Sequence, residues 1–273
     1  MQNEIIELLR KYTKHDFIKL TTRGNASIFN ALLCSKFLNP KKYFIYPDQG
    51  GWISYQNYPK KMEMLYIEVK TDFGVISIED LNNKVDEASA LIYSNPAGYY
   101  AEQPMKEIYK VCKDKCLVIL DASGSIGSSM CNGEYADMIV GSFGKWKPVN
   151  LDYGGFLATK EERFMKKIEE LKKNGEAFKD VYYEILVNKL KNVQERYKFF
   201  ESVNEKIKND LNDFNILHRD KKGINVIVKF ENDEEKAKII KYCEENKYEY
   251  TTCPKYIRVN TNAISIEVKR LQQ

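Results

Sequence analysis

The sequence predicts an α/β fold: a three-layer, mainly parallel sheet with helices on both faces, plus a small C-terminal α+β domain. Two patterns carry this reading. Before Thr159, short runs that are apolar throughout alternate with helical stretches, as strands buried on both faces require. After Thr159 the chain turns to charged helical segments and then to a few strand-like runs. The expected division is residues 1–175 for the large domain and 176–273 for a bridging helix and the small domain.

Each element has a local reason. Asn3 to Tyr12, with Ile5, Ile6, Leu8 and Leu9 in helical step, reads as a short amphipathic helix. Phe17–Leu20 leads into a Gly24-Asn25 turn that opens a helix through Ile28, Leu32 and Leu33 to about Phe37. Strands are expected at Tyr43–Tyr46, Met64–Val69, Ala90–Tyr93, Cys116–Leu120 and Met138–Val140, with a return strand at Gly155–Ala158. Asp80–Val85 and Gln103–Lys113 supply helical stretches between them. Glu161–Lys173 and Val181 to about Leu211 read as charged amphipathic helices, the second unusually long. Beyond these come a strand at Gly223–Phe230, a helix at Asp233–Asn246 and a second strand at Tyr256–Asn260. Ile264–Leu271 fits strand or helix equally.

Composition excludes several classes. With 273 residues, 43% of them hydrophobic, the chain can bury a real core. No apolar run approaches the ~20 residues of a membrane helix, and Met1-Gln2-Asn3-Glu4 lacks the layout of a signal peptide. A cytoplasmic protein without a membrane partner is expected. A net charge of +4 from 43 basic and 39 acidic residues is a mixed surface, with no nucleic-acid footprint. The six cysteines have no framework spacing, which fits a reducing compartment. Cys112 and Cys116 lie one helical turn apart, but His15 and His218 are the only histidines, so buried thiols are expected and no metal site.

Chemistry-bearing residues gather where the strands end, the place where such sheets bind ligands. Met138–Val140 delivers Ser142-Phe143-Gly144-Lys145-Trp146-Lys147-Pro148-Val149-Asn150, and Gly154-Gly155 opens the return strand. A lysine at a strand end can be desolvated and become a nucleophile, although this stretch alone also fits a solvated loop. The Gly24-Asn25-Ala26 turn exposes backbone N–H groups at the positive end of a helix, either a phosphate site or an ordinary cap by Asn25 or Ser27. Trp52 could stack on a planar ligand or anchor the core. Asn95 and Asp121 also follow apolar strands.

In this order these residues resemble the pyridoxal-phosphate (PLP) enzymes of fold type I, the aspartate-aminotransferase superfamily. The similarity is greatest to the DegT/StrS aminotransferase branch, whose Ser-Phe-His-x-x-Lys loop and following Gly-Gly are similar to Ser142-Phe143, Lys147 and Gly154-Gly155. It extends from about Thr21 to Thr159, more weakly around Arg258. The resemblance implies a PLP-dependent aminotransferase acting on an amino acid or an amino/keto-sugar, with small-molecule donor and acceptor, in a homodimer. By the same resemblance Lys147, with Lys145 as competitor, would hold PLP as an internal Schiff base. Asp121 would pair with the pyridine nitrogen, and Gly24, Asn25, Ala26 and Ser142 would hold the phosphate. Trp52 would stack on the ring, Asn95 would lie near its hydroxyl, and Arg258 would clamp a substrate carboxylate.

Departures from the family pattern are Gly124 in place of His or Gln, Gly144 in place of the loop histidine, and a bulky Trp146. They leave two further readings open. One is a PLP-dependent lyase or cysteine-desulfurase-like enzyme with Cys131 as the mobile thiol. The other is a non-catalytic regulatory protein of the same fold.

Overall fold

The computed structural model describes residues 1–171 and 177–272. In chain order the first elements are α1 (Gln2–Thr13), β1 (Phe17–Thr21), α2 (Gly24–Leu38), β2 (Tyr43–Pro47), α3 (Ser54–Lys61) and β3 (Leu65–Val69). A small ribbon, β4 (Thr71–Asp72) with β5 (Val75–Ile76), precedes α4 (Ile78–Asn82), β6 (Ala88–Ser94), α5 (Met105–Cys112) and β7 (Leu117–Asp121). Next come β8 (Met138–Ser142), β9 (Gly155–Thr159), α6 (Glu162–Leu171) and the long α7 (Tyr183–Asp210). The chain continues with β10 (Asn215–Ile216), β11 (Val226–Lys229), α8 (Asp233–Glu245), β12 (Tyr250–Cys253) and β13 (Ala263–Ile266).

Seven strands form one sheet in the order β1-β9-β8-β7-β6-β2-β3. β8, β7, β6, β2 and β3 are parallel, while β9 runs antiparallel to both its neighbours. Because side chains alternate across a strand, each apolar run feeds two cores. Leu91, Tyr93, Val118, Leu120 and Ile139 point to the face covered by α1, α4, α5 and α7. Ala90, Ile92, Ile119, Met138 and Val140 point to the face covered by α2, α3 and α6. The three-layer, mainly parallel expectation holds.

The C-terminal sheet is wholly antiparallel, in the order β10-β11-β13-β12, and packs on α8 and on Tyr197, Phe200 and Ile207 of α7. Here one expectation is corrected. Tyr256–Asn260 is not a strand but the connection between β12 and β13. Its backbone turns on itself, Arg258 N–H donating to Lys255 O, and reaches across to the Pro47 loop, where Tyr256 O accepts from Gly50 N–H at 2.7 Å. Ile264–Leu271 resolves into the end of β13 and a single 3-10 turn at Val268–Arg270. Lys172 and Lys173 of the expected Glu161–Lys173 helix, and the division at 175/176, lie outside the described residues. Among the described residues no helix is long and apolar enough to cross a membrane.

Leu120, fully buried at the centre of the sheet, provides a test of this packing. Leu120→Ala should cost about 2–5 kcal/mol, read as a lower urea midpoint with an unchanged slope.

Candidate active site

β7 ends on Asp121, a buried carboxylate held from two sides. Its Oδ1 accepts from Ser123 N–H at 3.0 Å and its Oδ2 from the Tyr55 hydroxyl at 2.5 Å. Burial, reinforced by the Asp121 charge, drives the Tyr55 hydroxyl well above its ordinary pKa, so it stays a donor.

β8, the parallel neighbour of β7, ends on Ser142 and opens the lysine loop. Ser142 Oγ accepts from Gly144 N–H at 3.1 Å, and Leu151 N–H closes the loop onto Phe143 O at 2.7 Å. Within it Trp146 takes a left-handed φ of 60°, and its N–H donates to Asn150 Oδ1 at 2.8 Å. This turn separates the two lysines. Lys145 is exposed, its ammonium 4.7 Å from the Trp146 ring centroid. Lys147 points inward, hydrogen-bonded to the Tyr99 hydroxyl and 5.4 Å from the Trp52 centroid. Burial lowers the Lys147 ammonium to about 8, with the Asp121 carboxylate opposing the shift.

Opposite this loop α2 begins at Gly24, and no side chain caps it. Asn25 Oδ1 accepts instead from Trp52 Nε1 at 2.7 Å and Ser54 Oγ at 3.3 Å, while Ser27 pairs with Thr21 at 2.7 Å. Both expected caps are thus spent elsewhere, and the positive helix end faces the cavity. A Cβ at residue 24 would stand 2.6 Å from Ser142 Cβ, so this approach of turn to strand requires glycine.

Gly24, Asn25, Trp52, Asp121, Ser142, Lys147 and Arg258 line one cavity of about 380 Å³, with Lys145 at its mouth. Two expected site residues are not brought in. Ala26 donates its N–H back to Arg23 O at 3.0 Å and does not line the cavity. Asn95 is fully buried as a strut, donating to Met130 O at 3.2 Å and accepting from Gln103 N–H at 3.0 Å. Cys131 is buried outside the cavity, its thiol pushed up to about 12 by burial, unlike a mobile nucleophile. Among the described residues no cluster of His, Cys, Asp or Glu could hold a metal ion.

Among the lining residues that the sequence pattern does not announce are Tyr99, Lys269 and Arg270. Tyr99 has a φ of 73°, and a Cβ at residue 124 would stand 2.9 Å from its ring. Gly124 therefore makes room for Tyr99. Lys269 lies just past β13 in the segment that fitted strand or helix equally, and only tertiary packing reveals that it faces the cavity.

Arg258 is buried, and its guanidinium grips Glu267 bidentately, Nε to Oε1 at 2.9 Å and Nη2 to Oε2 at 2.8 Å. Its Nη1 donates to Ile257 O at 2.8 Å, and Lys269 Nζ binds the same Glu267. Burial alone would raise the Glu267 carboxyl, but Arg258 and Lys269 outweigh it and hold it well below its ordinary range. Because the folded pKa is depressed, the stability it contributes is present above the unfolded value of about 4.3. That contribution is lost as pH falls below this value. Glu267→Gln strands two buried cations and should cost about 3–5 kcal/mol at neutral pH. Thermal melts of parent and variant should converge as pH falls below about 4.

Comparison with known proteins places this geometry. The profile of the DegT/DnrJ/EryC1/StrS aminotransferase family matches residues 7–198, and that of the MJ1341 family C-terminal domain matches residues 191–273. No curated protein matches the chain. Among solved structures, NtdA of Bacillus subtilis with bound cofactor PMP aligns with a TM-score of 0.75 at 18% identity, over 92% of this chain and 63% of that one. The chain thus spans under two thirds of NtdA's length. A DegT/DnrJ/EryC1/StrS aminotransferase from Brucella abortus aligns with a TM-score of 0.75 at 13% identity, over 97% of this chain and 84% of that one. L-threonine transaldolase from Pseudomonas fluorescens, in its internal aldimine state, aligns with a TM-score of 0.78 at 12% identity, over 98% and 66% respectively. At these identities the structures establish the fold, and the family profile goes further: the chain belongs to the DegT/DnrJ/EryC1/StrS aminotransferase family, whose cofactor is pyridoxal phosphate.

Proposed function

We propose that the chain is a PLP-dependent aminotransferase that carries its cofactor on Lys147 and moves an amino group between small molecules, an amino acid or an amino/keto-sugar among them. The observation that carries this reading is the Lys147 amine, drawn out of water in a cavity that also presents Asp121, the Trp52 ring and an uncapped helix end. A dianionic phosphate fits the N-terminus of α2, with Ser142 beside it. A pyridinium nitrogen fits Asp121, the carboxylate of the cavity, and Trp52 supplies a flat face for the ring. When bound, the cofactor supplies an electron sink for the pair released as a bond at the substrate Cα breaks.

The protein's own residues do the rest. Asp121, oriented by Tyr55 and Ser123, holds a proton on the ring nitrogen. Lys147, with an ammonium lowered to about 8, is neutral in roughly a tenth of molecules at pH 7, against under about a thousandth for an ordinary lysine. That supply of free amine suits both its attachment to the cofactor and, once released, movement of the substrate Cα proton by Nζ. The Tyr99 hydroxyl is the hydrogen-bond partner that aims it. Resemblance to fold type I enzymes further supports a homodimer, which sedimentation equilibrium would test.

The decisive experiment adds PLP to the purified chain and records its absorption spectrum. A near-visible band that borohydride removes should form in the parent and in Lys145→Ala, and should be absent in Lys147→Ala. A parent without the band overturns the reading. Amino donors that convert the band with release of a keto acid but no ammonia would establish transfer over elimination. Asp121→Ala should still bind cofactor yet slow that conversion by about a hundredfold or more. In the cofactor-free chain, acylation of Lys147 should rise with pH about a midpoint near 8.

A further inference from the structure

The resemblance assigns substrate carboxylate recognition to Arg258, but three of its five N–H donors, one on each nitrogen, are already engaged with Glu267 and the Ile257 carbonyl, and its bidentate face is turned to Glu267. Arg270, at the rim, is likewise taken, its Nη1 on Glu249 at 2.7 Å and its guanidinium 4.4 Å from the Trp146 centroid. Lys145 is exposed. Lys269 differs from all three. It is 3% exposed, lines the cavity and makes one ion pair, to a Glu267 that Arg258 already holds bidentately. Arg258, Lys269 and, at 3.7 Å, Arg270 Nε all share that one carboxylate, and burial draws the Lys269 ammonium down to about 7, so this corner is short of negative charge. An ammonium has three donors, and Glu267 takes one.

Lys269 is also well placed relative to the reacting amine. Its Nζ lies 5.1 Å from the Tyr99 ring centroid, and Lys147 Nζ lies 4.4 Å from the same centroid. Both amines thus lie against one aromatic ring, close enough together for a small molecule carrying nitrogen at one end and an anion at the other to meet both. We propose that Lys269 is the residue that receives the carboxylate of an amino- or keto-acid substrate, with Arg258 acting as the anchor that fixes Glu267 and through it Lys269. An incoming carboxylate supplies the negative charge this buried corner lacks. The inference rests on the PLP reading above.

The test compares two amines that displace Lys147 from the bound cofactor, each read as decay of the near-visible band without any turnover. Aminooxyacetate carries a carboxylate, and methoxyamine does not. The parent should react faster with aminooxyacetate by about tenfold or more, the scale of one charge-assisted hydrogen bond. Lys269→Met should lose that preference while keeping its methoxyamine rate, because Glu267 stays paired with Arg258 and the fold is retained. If Lys269→Met forms no band, Lys269→Gln, which keeps a donor for Glu267, is read in the same way. A parent that does not discriminate between the probes, or a variant that keeps the full preference, overturns the proposal. Absence of the band from the parent would instead defeat the PLP reading itself.

Discussion

An amine and a carboxylate withdrawn from water at the ends of two neighbouring parallel strands are the constraint on which this structure turns. Isolated burial of either charge would cost several kcal/mol, so each must be held where the other still acts on it. The sheet supplies that frame. β7 and β8 are in parallel register, with Asp121 opposite Val140, so the carboxylate and the loop that carries Lys147 emerge on one edge. Burial takes protons from Lys147 while Asp121 returns part of them. The result is an amine near neutrality without being fully uncharged.

The departures from the family pattern acquire a physical meaning in this setting. Gly124 is not simply a lost contact, since its missing side chain is the space that the Tyr99 ring fills. Gly144, where the resemblance expects histidine, gives its N–H to Ser142 Oγ. The cavity wall is therefore rebuilt from residues distant in sequence, with the segments flanking the last strand contributing a network of three basic side chains on one buried carboxylate.

What the sequence discloses follows from how local each signal is. Apolar runs such as Cys116–Leu120 and Met138–Val140 are strands because their burial is dictated by their own composition, and Lys147 and Asp121 are legible because they sit at the ends of those runs. Tyr256–Asn260 misleads for the converse reason. Its aromatic and branched residues look strand-like, whereas the strands beside it, Tyr250–Cys253 and Ala263–Ile266, are partly polar or small. That segment spends its backbone on the Pro47 loop, a partner about two hundred residues away that no local pattern announces. Asn95 at a strand end looked like a ligand contact, but such positions also serve as struts. Tyr99 and Lys269 stayed hidden because their positions follow from tertiary packing alone.

The helix α7 gives this arrangement an unexpected sensitivity to chain length. It runs 28 residues without interruption, and the two family profiles overlap upon it. It packs against α1 at the large sheet and against β11 in the C-terminal unit. A rigid helix transmits phase as well as distance. Inserting one residue in its middle would turn everything beyond by about 100° and advance it by about 1.5 Å. Lys269 and Arg258 would swing out of alignment with Lys147 although every side chain in the cavity was retained. The number of residues in this connector is therefore as much a part of the site as the groups that line it.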